Sequence, residues 1–183
     1  MLFYDRAEQV SMQTGSATAA PYYQKAIDTI KKAKLAGVAN PQSDNTLGLV
    51  YQKQKQFPEA VEAFRRGMKK LAISAYNLGV TYDLWLEEVL NKAKALPDGP
   101  QKEVVMTEAG KRRDQAIDAF QEYLLASRGA HGMHMQIRMK INKLKLMKEK
   151  EIARKLEEQR KKTRSHRRRR RRNRRRRSRR RRH

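Results

Sequence analysis

Apolar residues recur along the first part of the chain at helical spacing, in short bursts separated by polar turns. Between Asn45 and Leu71, Leu47, Val50 and Tyr51 share one face, and Ala60, Val61, Phe64 and Met68 share another. The polar run Gln52–Gln56 separates them. Phe57 is a large apolar residue at the entrance of the second segment, and Pro58 suits its first turn. Gly48 and Ala60 are small where two helices would approach closely. The pattern predicts a helix–turn–helix hairpin. Upstream, Leu2, Phe3, Ala7 and Val10 form a weaker helical pattern that fades into a loop over residues 11–16. Pro21 is expected to open a helix ending near Gly37, with Asn40–Pro41 as its stop.

The hairpin recurs. Leu47-Gly48-Leu49-Val50-Tyr51 matches Leu78-Gly79-Val80-Thr81-Tyr82, 31 residues later. Ala60-Val61-Glu62-Ala63-Phe64 matches Ala116-Ile117-Asp118-Ala119-Phe120, and more loosely Ala26-Ile27-Asp28-Thr29-Ile30. A pattern recurring in this way predicts a solenoid of stacked units. These residues resemble the tetratricopeptide repeat (TPR), whose hallmarks are a Leu-Gly pair and an aromatic in the first helix, then Ala and an aromatic in the second. Leu47, Gly48, Tyr51, Phe57, Ala60, Phe64 and Gly67 carry the resemblance in the central unit. It covers about residues 20–127. The first unit keeps only its second helix, and the closing proline usual in the family is missing after Leu71.

The third unit departs from its neighbours by length. Gly48 to Ala60 spans 12 residues and Gly79 to Ala116 spans 37, an insertion of 25. The added sequence is helix-compatible on both sides of Leu96-Pro97-Asp98-Gly99-Pro100, a strong turn signal. Two lengthened arms are expected, carrying the hairpin tip roughly 18 Å beyond its neighbours. Gly110 weakens the returning arm by about 1 kcal/mol relative to Ala. Beyond Arg128–Gly132, residues from Met133 to about Lys162 read as one helix, with Ile137, Ile141, Leu144, Ile152 and Leu156 on one face and Lys148 interrupting it. The dense part of that stripe, up to Met147, is expected to cap the solenoid. Glu151–Lys155, Glu157–Lys161 and Glu158–Lys162 are helix-stabilising pairs, each contributing about 0.2–0.5 kcal/mol.

Charge divides the chain. Residues 1–127 carry 17 Lys+Arg against 15 Asp+Glu, residues 128–160 carry 10 against 4, and residues 161–183 carry 17 against none. The front reads as an ordinary folded domain and the back as a polycation. Repulsion among arginines predicts disorder from Arg164 onward unless a polyanion is present. The expected organisation is all-α: a TPR-like helical repeat domain over 1–132, a long basic capping helix over 133–163, and a polyarginine tail over 164–183. There is no cysteine, so disulfides and thiolate metal sites are excluded. No apolar run approaches the roughly 20 residues that span a bilayer. The N-terminus lacks the layout of a signal peptide, so a soluble intracellular protein, cytoplasmic or nuclear/nucleolar, is expected.

Enzymatic signals are poor, with no Gly-rich phosphate loop and no Gly-x-Ser-x-Gly. His131 and His134 with Met133 and Met135 are conceivable soft-metal ligands, but they straddle a helix start and read better as loop and cap residues. Glu87 and Glu88 point apart on a helix and read as solvated charge, while Tyr82 and Trp85 read as packing residues. Neither a catalytic centre nor a cofactor is expected.

Two binding surfaces are. In a solenoid the first helix of each unit lines the concave face. That face would expose Gln42, Asn45, Leu49, Gln52 and Lys53, then Tyr76, Asn77, Val80 and Asp83. The candidate peptide groove is therefore Asn45, Leu49, Lys53, Tyr76, Asn77, Val80 and Asp83, where Asn side chains can hold an extended backbone from two sides. TPR domains that grip C-terminal carboxylates combine Asn with Lys and Arg there. Asn77 matches, but Ile73 stands where a cation is wanted. The competing expectation is a groove filled by the chain's own N-terminal segment.

The second surface is the tail: Arg164, Arg167, Arg168, Arg169, Arg170, Arg171, Arg172, Arg174, Arg175, Arg176, Arg177, Arg179, Arg180, Arg181 and Arg182. Guanidinium forks match phosphate oxygens bidentately, and no aromatic lies among them to stack on bases, so sequence-blind contact with a nucleic-acid backbone is expected. The tail resembles protamine-like and arginine-rich RNA-binding segments. Its composition also fits a localisation signal, attraction to anionic membrane, or a low-complexity expansion in which Ser178 is an accident of composition or a basophilic-kinase site. The sequence therefore points to a protein-interaction scaffold whose tail tethers it to RNA or another polyanion. The alternative is a protein-only assembly or chaperone adaptor.

Overall fold

Asn40 and Pro41 begin a helix as well as separating it from the one before. In the computed structural model, which describes residues 5, 8–11, 16–38, 40–127 and 131–180, Asn40 is extended. Its side chain accepts from the Ser43 backbone N–H at 2.9 Å while the Asn40 N–H donates to Ser43 Oγ at 3.3 Å. This reciprocal cap, followed by Pro41 at the first turn, starts the helix ahead of the apolar pattern that revealed it. The described helices are α1 (Ser16–Leu35), α2 (Pro41–Lys53), α3 (Phe57–Met68), α4 (Ala72–Ala95), α5 (Pro100–Ala126) and α6 (His131–Arg180). No strand occurs among the described residues, so the chain is all-α.

α1 begins ahead of Pro21, which lies inside it. Proline costs one backbone hydrogen bond and clashes with the carbonyl four residues back. Here that lost bond falls near the helix's own start, and the alanines before it favour helix strongly. α1 and α2 end alike. Gly37 N–H bonds Lys34 O and Val38 N–H bonds Ala33 O, while Lys55 N–H bonds Gln52 O and Gln56 N–H bonds Tyr51 O. Both are Schellman closures needing a left-handed residue. Gly37 has φ +71° and Lys55 has φ +58°, so a lysine stands where glycine is the unstrained choice.

The chain divides into two compact units, Met1–Ile141 and Asn142–His183. The division falls within α6, after Ile137 and Ile141, which are buried. In the first unit α2 packs on α3, α3 on α4, and α4 on α5. One packing rule recurs. A Cβ at Gly48 would lie 2.6 Å from the Phe64 ring, and one at Gly79 would lie 2.6 Å from the Phe120 ring. Both rings are buried. In each hairpin the first helix therefore meets the second glycine against phenylalanine.

The inserted sequence lengthens both arms: α4 has 24 residues and α5 has 27, against 13 in α2 and 12 in α3. The turn between the arms is Leu96–Gly99, and Gly110 is accommodated without a break in α5. Burial continues along the arms through Leu86, Val89, Ala93 and Ala109. Near their base, Trp85 stacks on Phe57 with centroids 5.7 Å apart and planes 19° apart. The Arg112 guanidinium covers the Trp85 ring at 3.4 Å from its centroid. Arg112 is itself held by Glu108 at 3.2 Å and Gln115 at 3.1 Å. Tyr82 is buried, and its hydroxyl accepts from Arg65 at 3.1 Å.

The tail corrects an expectation. The backbone is helical through Arg180, where charge repulsion alone predicted disorder from Arg164. Helix nucleation is the costly step and propagation gains one bond per residue. The turns from Met133 onward already supply a nucleus, arginine is a good helix former, and no Gly or Pro follows Gly132. A like-charged pair at helical spacing opposes this by only about 0.2–0.5 kcal/mol. Residues 181–183 lie outside the described residues.

Candidate functional site

The candidate groove residues sit on α2 and α4, and the structure gives them different roles. Asn45 is 3% exposed. Its Oδ1 accepts from Ser74 Oγ at 3.0 Å and from Asn77 Nδ2 at 3.0 Å. Gly67 makes room for this junction, because a Cβ there would lie 2.8 Å from Ser74 Oγ. Asn45 therefore locks α2 to α4 instead of facing a groove. Its place in the candidate groove is corrected on this ground: a buried carbonyl oxygen with two internal donors has nothing left to offer a peptide.

Asn77 is half-buried, and its amide is committed to Asn45. Its backbone carbonyl accepts from Thr81 Oγ1 at 2.8 Å, while Gln52 Nε2 donates to the Thr81 hydroxyl at 2.7 Å. Gln52 and Asn77 thus belong to one α2–α4 network.

Tyr76 lies in an aromatic group, 6.1 Å from the Phe120 ring and 5.6 Å from the Tyr123 ring. His134 meets Tyr123 edge-on at 6.0 Å. Ser127 Oγ donates to Tyr123 O at 2.6 Å and lies 2.8 Å from His134 Nε2. With the serine proton committed, His134 Nε2–H is assigned as the donor. His134 thus ties the start of α6 to the end of α5. The side chain of His131 lies outside the described residues. Among the described residues no three His, Cys, Asp or Glu side chains gather where they could hold a metal ion.

Asp83 is paired with Lys140 of α6 at 2.5 Å. Lys53 is paired with Glu8 of the N-terminal segment at 3.1 Å. Glu8 also accepts from the Tyr23 hydroxyl at 2.9 Å. Burial, the hydrogen bond to Glu8 and the nearby carboxylate charge push the Tyr23 phenol up to about 12. Val10 packs with Tyr22, Ile30 and Tyr51 against the buried cluster of α1 and α2. The chain's own N-terminal segment thus engages Lys53, the single cation among the candidate groove residues. Leu49 and Val80 remain half-buried on α2 and α4.

Sequence reasoning missed a cleft of about 450 Å³ bordered by α1, α2 and α3. Leu47 and Tyr51 line it, with Lys31, Lys34, Glu59 and Glu62 among its charged residues. Asp44 bridges its two sides, meeting Lys34 at 2.6 Å and Arg66 at 3.1 Å. Leu35, at the end of α1, also lines the cleft and is 90% exposed.

In the tail, Arg164 is exposed on α6. Arg167 to Arg172, Arg174 to Arg177, Arg179 and Arg180 are described in backbone only, as helix, and Arg181 and Arg182 lie outside the described residues. Among the described residues no helix is long and apolar enough to cross a membrane. Comparison of the chain with protein-family models, with curated proteins and with solved structures finds no match.

Proposed function

We propose that this chain is a non-enzymatic scaffold of TPR type, whose helical repeats hold a protein partner and whose arginine-rich tail tethers the pair to RNA or a similar polyanion. The observation that carries this reading is the segregation of charge between the two units. Residues 1–141 hold 20 Lys+Arg against 15 Asp+Glu, whereas residues 142–183 hold 24 against 4. A near-neutral packed body joined to a polycation suits a bridge between a protein and a phosphate backbone.

The repeat part of the reading is supported by the shared Gly48–Phe64 and Gly79–Phe120 packing. It makes about three hairpins stacked as a solenoid, the first of them incomplete. The partner's contact is assigned to Leu49, Val80, Lys53, Tyr76 and Asp83, with Asn77 at the edge of the α2–α4 lock. For the last three charged or aromatic groups, binding competes with internal partners. On this reading the protein works inside the cell, where RNA is at hand.

The test compares RNA binding of the full chain with that of residues 1–162 across a salt series. The full chain is expected to lose roughly 10³–10⁵-fold in affinity between about 50 and 200 mM salt, and the truncation to bind weakly throughout. Equal binding by both, or by neither, would remove the tether and leave a protein-only adaptor.

A further inference from the structure

The second unit, Asn142–His183, carries an apolar seam on a helix with basic edges. Leu146, Ile152 and Leu156 are 50, 49 and 51% exposed. With exposed Ala153 they share one face at helical spacing, and Glu149 sits within it. By the same spacing, Lys148 and Lys155 lie along one edge of the seam, and Lys143, Lys150 and Arg154 along the other. Glu151 and Glu158 fall on the opposite face. The acids are drawn into pairs along the helix: Lys155 with Glu151 at 2.6 Å, Lys161 with Glu157 at 2.7 Å, and Arg154 with Glu158 at 3.7 Å. These pairs leave the unit strongly positive.

Charge selects among the occupants such a face could take. A second copy would set one polycation against another. A lipid surface would find no anchor, because residues 131–183 contain no Trp, Tyr or Phe to sit at an interface. An acidic helix with its own apolar stripe meets both features, placing carboxylates beside Lys143 and Lys150 and apolar side chains against the seam. We propose that the Leu146–Leu156 face of α6 docks an acidic amphipathic helix from another protein. This contact uses no residue of the candidate groove.

The test uses the full-length protein and a labelled synthetic three-heptad peptide with Leu at a and d and Glu at e and g, read by fluorescence anisotropy. A scrambled peptide of the same composition controls for attraction to the arginines. The protein variant is Ile152→Ser with Leu156→Ser, whose retained helix content is checked by circular dichroism. The heptad peptide is expected to bind the wild type more tightly than the scramble does. The double variant should weaken the heptad peptide by about tenfold, as fits two half-buried apolar side chains, and leave the scramble unchanged. Equal affinity of the two peptides for the wild type would overturn the proposal, because charge alone would then explain capture. So would an unchanged affinity in the variant. If the variant loses binding to phosphatidylserine vesicles while keeping the peptide, the face is a lipid surface and the proposal fails. The RNA tether is decided separately by the tail truncation, so either reading can fail alone.

Discussion

Ser74 donates to Asn45 across the α2–α4 junction at 3.0 Å, and the two side chains are 0 and 3% exposed. A pair buried this fully belongs to the framework, and that decides how substitutions there must be read. Asn45→Ala leaves the Ser74 hydroxyl and the Asn77 amide without their acceptor. It is expected to cost about 1–3 kcal/mol, the usual penalty for stranded buried polar groups. Asn77→Ala, at a half-buried position, should cost less. Urea denaturation of the two variants checks the order. An Asn45→Ala protein of unchanged midpoint would restore that residue to the groove.

Gly48→Ala and Gly79→Ala set two effects against each other. Alanine favours a helix over glycine by about 1 kcal/mol. The new methyl, however, would lie 2.6 Å from a buried phenylalanine ring in either hairpin, and overpacking of this kind costs about 1–3 kcal/mol. Both variants should lower the thermal midpoint, and each double variant with the facing ring trimmed (Phe64→Leu with Gly48→Ala, Phe120→Leu with Gly79→Ala) should lose less than the sum of its separate losses. Additive losses in a double-mutant cycle would rule the contact out.

Lys55 predicts a gain. Its φ of +58° costs an L-residue about 1–2 kcal/mol that glycine avoids, offset in part by glycine's greater freedom in the unfolded chain. Lys55→Gly should raise stability by up to about 1 kcal/mol in chemical denaturation. Gly37→Ala, at φ +71° with open space around it, should lower stability through the backbone alone.

Tyr23 makes stability depend on pH at the alkaline end. Its phenol is raised from the ordinary value of 10.0 to about 12 in the folded protein, so folding favours the protonated form. The sign follows: the contribution is whole below pH 10.0, shrinks as the pH rises, and is gone above about 12. Tyr23→Phe should therefore differ most from the wild type at neutral pH and converge on it over that window, as read by denaturant midpoints.

The helices were legible because their signals are local. Apolar spacing, the Leu96–Pro100 turn and the repeated Leu-Gly pair each lie within a few residues, and they located α2 to α5 and both lengthened arms. The boundaries that differed depend on local terms of opposite sign: Pro21 is tolerated beside good helix formers, and the arginine run extends a helix already nucleated. The candidate groove was legible only as a set of positions on two helices. Which residues share a helix follows from the apolar spacing, whereas what each side chain meets does not.

By itself, then, the sequence determined an all-α chain, a recurring hairpin stretched in its last copy, and a near-neutral body followed by a polycation. Periodicity and charge are properties of neighbours along the chain. Only the tertiary structure decided that Asn45 faces Ser74 and Asn77, that Lys53 meets Glu8, that Asp83 meets Lys140, and that Trp85 meets both Phe57 and Arg112. Each of those pairings spans from 27 to 57 residues. They exist because packed helices bring distant turns within a few ångströms, and at the buried Asn45 and Ser74 an unpaired polar group would be too costly to leave.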